Sequence, residues 1–175
     1  MDNRLKRTPG VYLLGFMGSG KTTVAQLLAE RLGWDFVDLD AEIEAAENTT
    51  IAHIFEARGE AEFRRLETEM LQKIMRRIER VTPLVVALGG GTFAQDSNRA
   101  MLKGHGVSVW LDCSFEIVQQ RITEAETRPL ARDPEKFRRL YEDRRAAYEL
   151  ADFRIDGNCE VEQAIHQILE LPCWK

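Results

Sequence analysis

One stretch of the sequence combines the residue types that hold phosphate groups. Gly15-Phe16-Met17-Gly18-Ser19-Gly20-Lys21-Thr22 has the form G-x-x-x-x-G-K-[ST]. Glycines let such a loop wrap around phosphates, and its backbone N–H groups point toward negative charge. The lysine reaches the β- and γ-phosphates of a nucleotide, and the threonine hydroxyl ligates Mg²⁺. We therefore predict ATP as ligand, with Mg²⁺, and contacts from Gly18, Ser19, Gly20, Lys21, Thr22 and Thr23.

A pair of carboxylates, Asp38 and Asp40, ends the second apolar run. Because residues i and i+2 of a strand share a face, we expect both side chains to point the same way. Ligands of open α/β sheets bind beyond the carboxyl ends of the strands, which places this pair near the phosphate loop. We predict that Asp38 binds Mg²⁺ through water and that Asp40 acts on an acceptor hydroxyl as base or orienter. The alternative for Asp40 is a helix cap.

Further candidates are a run of three glycines and several arginines. Gly89-Gly90-Gly91 follows the third apolar run and allows a ligand to approach the backbone closely, although a plain loop has the same composition. Arg64 stands one residue after an apolar position of a predicted helix, and Arg144 and Arg145 lie in a later one. Helical periodicity does not distinguish these arginines from solvated surface residues.

The elements that must position these residues alternate along the chain. Continuous apolar runs predict strands buried on both faces, and segments of helical periodicity separate them. This alternation indicates a parallel sheet covered by helices. The predicted strands are Val11–Leu14, Phe36–Leu39, Leu84–Leu88, Val107–Leu111 and Phe153–Ile155. The predicted helices are Thr22–Leu32, Glu60–Arg80, Phe115–Thr123, Pro134–Tyr148 and Val161–Leu169.

Size and charge restrict the class of protein. A chain of 175 residues fits one compact domain, taken here as 1–175. The net charge of −5 argues against nucleic acid as the main partner, because a phosphate backbone requires a basic face. The apolar run from residue 11 to residue 15 is too short to span a membrane. Three widely spaced cysteines, which fit reduced thiols, add to the expectation of a cytoplasmic protein.

Taken together, these motifs resemble the shikimate kinase family over nearly the whole chain, from Gly15 to about Asn158. The most family-specific parts are the Asp-x-Asp of residues 38–40 and a Gly-Glu-x-x-Phe-Arg-x-x-Glu run at residues 59–67. The resemblance also covers Leu88–Gly91, Arg128-Pro129-Leu130 and Arg144-Arg145-Ala146-Ala147-Tyr148.

The resemblance implies a three-layer P-loop fold with a five-stranded parallel sheet of order 2-3-1-4-5. It also implies helices on both faces, a mobile lid at about residues 126–134, a monomer, and transfer of phosphate from ATP to the 3-hydroxyl of shikimate. Arg121 matches a nucleotide-binding position, and Arg128 matches a catalytic arginine on the lid that also contacts ATP. The positions that match shikimate-binding residues are Asp40, Arg64, Gly90, Gly91 and Arg144.

Two other functions remain open from the sequence. One is a P-loop kinase for another small polyhydroxy acid such as gluconate, which would share the fold and the phosphate loop. The other is a non-catalytic nucleotide-binding module. The combination of the Asp-x-Asp, the Phe-Arg-x-x-Glu and the three-glycine run favours shikimate over gluconate, and the presence of Lys21, Asp40 and Arg128 favours an enzyme.

Overall fold

The computed structural model describes residues 10–79, 83–124 and 133–174. Its centre is a single sheet of five parallel strands in the order β2-β3-β1-β4-β5. This order and the α/β class confirm the predicted fold. The strands are β1 (Gly10–Leu14), β2 (Asp35–Asp38), β3 (Leu84–Ala87), β4 (Val107–Asp112) and β5 (Phe153–Asp156).

The apolar runs fold as strands because both faces of the sheet are covered. Every residue of β1 and β3, the two strands that pair at the centre, is buried. In such a position each side chain must be apolar regardless of the face it points to, and alternation disappears. The core that results extends into the helices on both sides, with α1 (Lys21–Leu32) packed against β2 and β3.

The remaining α-helices of the described chain connect successive strands, except the last, which follows β5. Residue types at their ends explain several boundaries: the Asp133 side chain accepts a hydrogen bond from the Lys136 amide, and Pro134 occupies the first turn that follows. These helices are α2 (Leu39–Glu47), α3 (Ile51–Glu79), α4 (Asp96–Leu102), α5 (Phe115–Glu124), α6 (Pro134–Tyr148) and α7 (Val161–Leu169).

The structure corrects the predicted local geometry at the second strand. Strand β2 ends at Asp38, and Leu39 already begins α2, so Asp40 lies in the first turn of a helix. The argument that residues 38 and 40 share the face of a strand is therefore wrong. The cap of α2 is Asp38, whose side chain accepts from the Ala41 amide at 3.1 Å, and not Asp40.

Three α-helical segments of the described residues were not predicted from periodicity: α2, α4 and the part of α3 that precedes Gly59. Gly59 interrupts α3 with a φ of 83°, a left-handed conformation that favours glycine. The helix therefore changes direction at Gly59, and its two parts are residues 51–58 and the longer segment after Gly59. Both segments contribute side chains to the site described below.

Two predictions concern residues that the structure does not describe. Arg128 lies outside the described residues, and so do residues 126–132 of the predicted lid. In the part of the chain that is described, no helix has the length and apolar character needed to cross a membrane.

Candidate active site

The phosphate-binding loop lies between β1 and α1, as its motif predicts. Gly18 and Gly20 have φ values of 77° and 89°, which side-chain-bearing residues rarely adopt. The Ser19 amide donates to the Phe16 carbonyl at 3.1 Å and closes the turn. The Lys21 ammonium donates to the same carbonyl at 3.0 Å, so its side chain folds back over the loop.

Two side chains from outside this loop contact its carbonyl groups. The Arg121 guanidinium donates to the carbonyls of Gly18 at 3.3 Å and Ser19 at 3.2 Å. The Cys113 thiol lies 3.5 Å from the Ser19 carbonyl, and burial raises the pKa of this thiol, which keeps it neutral. Arg121 therefore contacts the loop predicted to bind the nucleotide, through the loop's carbonyl groups.

A cavity of about 560 Å³ opens over the loop and the end of β2. Thr23, although predicted to contact ATP, is exposed in the first turn of α1 and does not line it. Ser19 is buried, and its hydroxyl has no hydrogen-bond partner among the described residues. The predicted residues that do line this cavity are Gly18, Gly20, Lys21, Thr22, Asp38, Asp40 and Gly90.

Two oxygen-bearing side chains meet beside the phosphate-binding loop. The Thr22 hydroxyl donates to Asp38 Oδ2 at 2.7 Å, so both predicted Mg²⁺ residues lie together. Among residues 10–79, 83–124 and 133–174, no group of three or more His, Cys, Asp or Glu is placed to hold a metal ion. Mg²⁺ commonly keeps several waters and takes one or two protein oxygens plus phosphate oxygens, which this pair fits.

A second cavity, of about 390 Å³, contains all five residues that match shikimate-binding positions. The neighbouring arginines 144 and 145 of α6 have different surroundings. Arg144 lines the cavity, whereas Arg145 donates to Asp112 Oδ1 at 2.5 Å and to the Tyr141 hydroxyl at 2.9 Å. The matching residues in this cavity are Asp40, Arg64, Gly90, Gly91 and Arg144.

The two cavities share a wall. The residues that line both cavities are Met17, Asp40, Ile51 and Gly90. Asp40 therefore stands between the phosphate-binding loop and the pair formed by Arg64 and Arg144. A ligand with an acidic group at the arginines could present a hydroxyl to Asp40 and to a phosphoryl group held by the loop.

Arg64 is held by a buried carboxylate. Its Nη1 lies 2.9 Å from Glu67 Oε2, and the Glu67 side chain is only 1% exposed. A weaker contact of 3.4 Å joins Nη2 to the exposed Glu60. The guanidinium lies directly over Gly91, where an added Cβ would overlap it. With a larger residue at position 91, the guanidinium would have to move from this place.

The glycine run is also tied to α6. The buried Tyr148 hydroxyl donates to the Gly90 carbonyl at 2.5 Å. Burial raises the pKa of Tyr148 well above its usual value, so the phenol stays protonated and remains a donor. This bond connects Gly90, which both cavities share, to the helix that carries Arg144.

Sequence reasoning left Glu67 and Tyr148 without a role, although both belong to the quoted motifs. A glutamate three residues after Arg64 on a helix is a recognisable partner for it. That signal was available for Glu67, but its burial was not. The contact of Tyr148 with Gly90 joins residues 58 positions apart and has no local signal.

Solved structures with the same architecture include two kinds of kinase. A shikimate kinase from Acinetobacter baumannii, in complex with shikimate, has a TM-score of 0.86 and 38% identity, covering 95% of this chain and 93% of that one. A gluconokinase from Sinorhizobium meliloti has a TM-score of 0.59 and 20% identity, covering 93% of this chain and 91% of that one. The second likeness extends to the fold alone, so gluconate is not favoured.

Sequence comparison gives the same result over most of the chain. The family model described as "Shikimate kinase" matches residues 17–172. A shikimate kinase from Ruegeria pomeroyi is 42% identical over 164 residues, covering 91% of this chain and 82% of the relative. Because the family model covers most of the chain and the relative is 42% identical over 91% of it, the chain belongs to the shikimate kinase family.

Proposed function

We propose that this protein transfers the γ-phosphoryl group of ATP to the 3-hydroxyl of shikimate, giving shikimate 3-phosphate and ADP. The position of Asp40 in the wall common to both cavities is the observation that supports this proposal most strongly. One cavity carries the phosphate-binding loop and the other carries two arginines, which match a phosphate donor and an acid acceptor.

The acceptor cavity suits a small polyhydroxy acid. Shikimate has one carboxylate and three hydroxyls. Arg64 and Arg144 bind the carboxylate through charge-assisted hydrogen bonds, for which the planar guanidinium is well shaped. Asp40 accepts from the ring hydroxyl that reacts, and the backbone of Gly90 and Gly91 completes the contact surface.

The reaction then depends on placement and on charge. Asp40 receives the proton of the hydroxyl as its oxygen bonds to the γ-phosphorus, and the bond to the oxygen bridging to the β-phosphate breaks to release ADP. Lys21 and the loop amides stabilise negative charge on the transferred group. Thr22 and Asp38 would hold Mg²⁺, which would supply positive charge to neutralise the β- and γ-phosphates. Arg128 adds a positive charge when the lid closes.

Several finer assignments are part of the same proposal. The remaining ATP contacts are assigned to Gly18, Ser19, Gly20, Thr23 and Arg121. The contact of Arg121 with two carbonyls of the loop supports a role near the nucleotide. We also propose one kinase domain spanning residues 1–175, acting as a monomer in the cytoplasm on small molecules, with neither nucleic acid nor a membrane as partner.

The direct test is release of ADP from ATP and Mg²⁺ with shikimate, with gluconate, and with no acceptor. We expect turnover with shikimate alone, and product analysis should place the phosphate on the 3-hydroxyl. Turnover of gluconate without turnover of shikimate would contradict the proposal. Tight ATP binding with no ADP release for any acceptor would instead indicate a non-catalytic nucleotide-binding module.

A further inference from the structure

The buried carboxylate of Glu67 has two neutral donors besides Arg64. The Thr92 hydroxyl donates to Glu67 Oε1 at 2.6 Å, and the Gln95 amide donates to Oε2 at 2.8 Å. We propose that Thr92 and Gln95 are positioning residues for the acceptor: they satisfy Glu67 so that Arg64 keeps N–H groups available to the substrate carboxylate. This inference rests on the proposed function.

The argument begins with the number of hydrogen bonds at Glu67. A buried carboxylate loses its hydration and needs donors to compensate for that loss. Arg64 supplies one bond through Nη1, to Oε2. Thr92 supplies the hydrogen bond to Oε1. Thr92 and Gln95 therefore donate two of these three hydrogen bonds to Glu67.

Glu67 and the substrate carboxylate can accept hydrogen bonds from the same N–H groups of Arg64. Its guanidinium has five N–H donors in a fixed fork, and a carboxylate can accept two of them side by side. A Glu67 that lacked its neutral donors would draw a second N–H of Arg64 to Oε1. Those donors are the ones that a substrate carboxylate in the second cavity requires. Thr92 and Gln95 thus limit how much of Arg64 is used by the protein itself.

The position of Thr92 and Gln95 is itself fixed by buried contacts. The fully buried Asn98 donates to the Thr92 carbonyl at 3.1 Å, and the Thr68 hydroxyl donates to Asn98 Oδ1 at 2.9 Å. Gln95 precedes the first residue of α4 and is its N-cap. The short helix α4, which lines neither of the two site cavities, therefore helps to shape the acceptor site from outside it.

Gly89 shows how closely this support adjoins the reacting residue. An added Cβ at Gly89 would lie 2.7 Å from Asp40 Oδ1, 2.9 Å from the Thr92 hydroxyl and 3.0 Å from Glu67 Oε1. The three groups thus converge around a single Cα without a side chain between them. A change at Thr92 acts in the immediate surroundings of the acceptor site.

The test compares two removals of a hydroxyl. Thr92→Val deletes the donor to Glu67, and Thr123→Val makes the same chemical change at an exposed hydroxyl that donates to the Gln119 carbonyl of its own helix. We expect Thr92→Val to raise the KM for shikimate about three- to tenfold, with kcat and the KM for ATP nearly unchanged. Thr123→Val should leave all three constants near the wild-type values, and Thr92→Ser, which keeps a hydroxyl, should have a shikimate KM near that of the wild type.

Gln95→Met provides an independent variant, because Gln95 is only half-buried and methionine has a similar length. It should also raise the shikimate KM, so a poorly folding Thr92→Val would not prevent the test. Unchanged shikimate KM in Gln95→Met and Thr92→Val would overturn the inference, as would an equal rise in Thr123→Val. Absence of shikimate turnover in the wild-type protein would overturn the proposed function, and this inference with it.

Discussion

The phosphate-binding loop and the acceptor cavity are built in different ways. The loop is one continuous stretch whose shape comes from backbone conformations at Gly18 and Gly20 and from local bonds to the Phe16 carbonyl. The acceptor cavity takes side chains from α2, α3 and α6 and backbone from the glycine run. A continuous motif fixes its own geometry, whereas a dispersed site depends on what holds each element in place.

The difference also concerns charge. In the proposed reaction the loop presents backbone N–H groups and Lys21 to a phosphate, and loop amides cannot reorient freely. The acceptor cavity uses long arginine side chains that have many conformations, and Arg64 is fixed by the buried Glu67. We therefore expect substitutions in the loop to reduce turnover and substitutions around the arginines to weaken substrate binding.

The largest effect is expected from Lys21→Met, which breaks the loop's function while keeping its backbone. Turnover should fall by about 10³-fold, because the charge that stabilises the transferred phosphoryl group is lost. Steady-state kinetics and thermal unfolding would be measured together. Lys73→Met, which removes an exposed lysine of α3, is the matched control and should behave as wild type. Comparable turnover in the two variants would contradict the role of Lys21.

Asp40→Asn tests the residue common to both regions. We expect kcat to fall by about 10²-fold, since the amide cannot accept the proton of the hydroxyl, while the KM for ATP changes little. Asp35→Asn removes an exposed carboxylate at the start of β2 and is the control. Retention of full activity by Asp40→Asn would show that Asp40 has no part in the chemical step.

Arg64→Ala tests the acceptor side alone. The KM for shikimate should rise about 10- to 100-fold with a smaller change in kcat, because a charge-assisted contact with the substrate carboxylate is lost. Arg65→Ala is the neighbouring control, since Arg65 is exposed and pairs with Glu62 and Glu69. Arg144→Ala should resemble Arg64→Ala. A normal shikimate KM in both Arg64→Ala and Arg144→Ala would remove the proposed carboxylate contact.

The smallest effect is expected from Tyr148→Phe, which sharpens the comparison by loosening only the glycine run. The lost bond to Gly90 should lower the free energy of unfolding by about 1 kcal/mol at neutral pH and raise the shikimate KM a few-fold. The raised pKa of Tyr148 in the folded protein means that its contribution is present below the ordinary tyrosine pKa of about 10 and is lost as pH rises above it.

Denaturant unfolding at several alkaline pH values would measure this contribution. Burial also raises the pKa values of Tyr12 and Tyr141, so the wild-type protein should lose stability above about pH 10 for more than one reason. The difference between wild type and Tyr148→Phe should become smaller over that range. A difference that stays constant with pH would contradict the assignment to Tyr148.

The same contrast explains what could be predicted from the sequence. The strands and the phosphate loop were predictable because burial on two faces and a local motif leave direct marks on residue order. Asp40 was predicted to lie near the phosphate loop by a wrong argument. The strand ends at Asp38 and a helix begins at Leu39, so Asp40 is not a strand residue. Arg144 and Arg145 differ only in what they meet across the fold, which periodicity does not encode.

The most direct test of the account is a crystal structure of the protein with shikimate and ADP bound. We expect the shikimate carboxylate within hydrogen-bond distance of Arg64 and Arg144, and its 3-hydroxyl at Asp40, facing the phosphate-binding loop. A shikimate molecule bound with its carboxylate away from both arginines, or with its 3-hydroxyl turned from Asp40, would contradict the proposed reaction geometry.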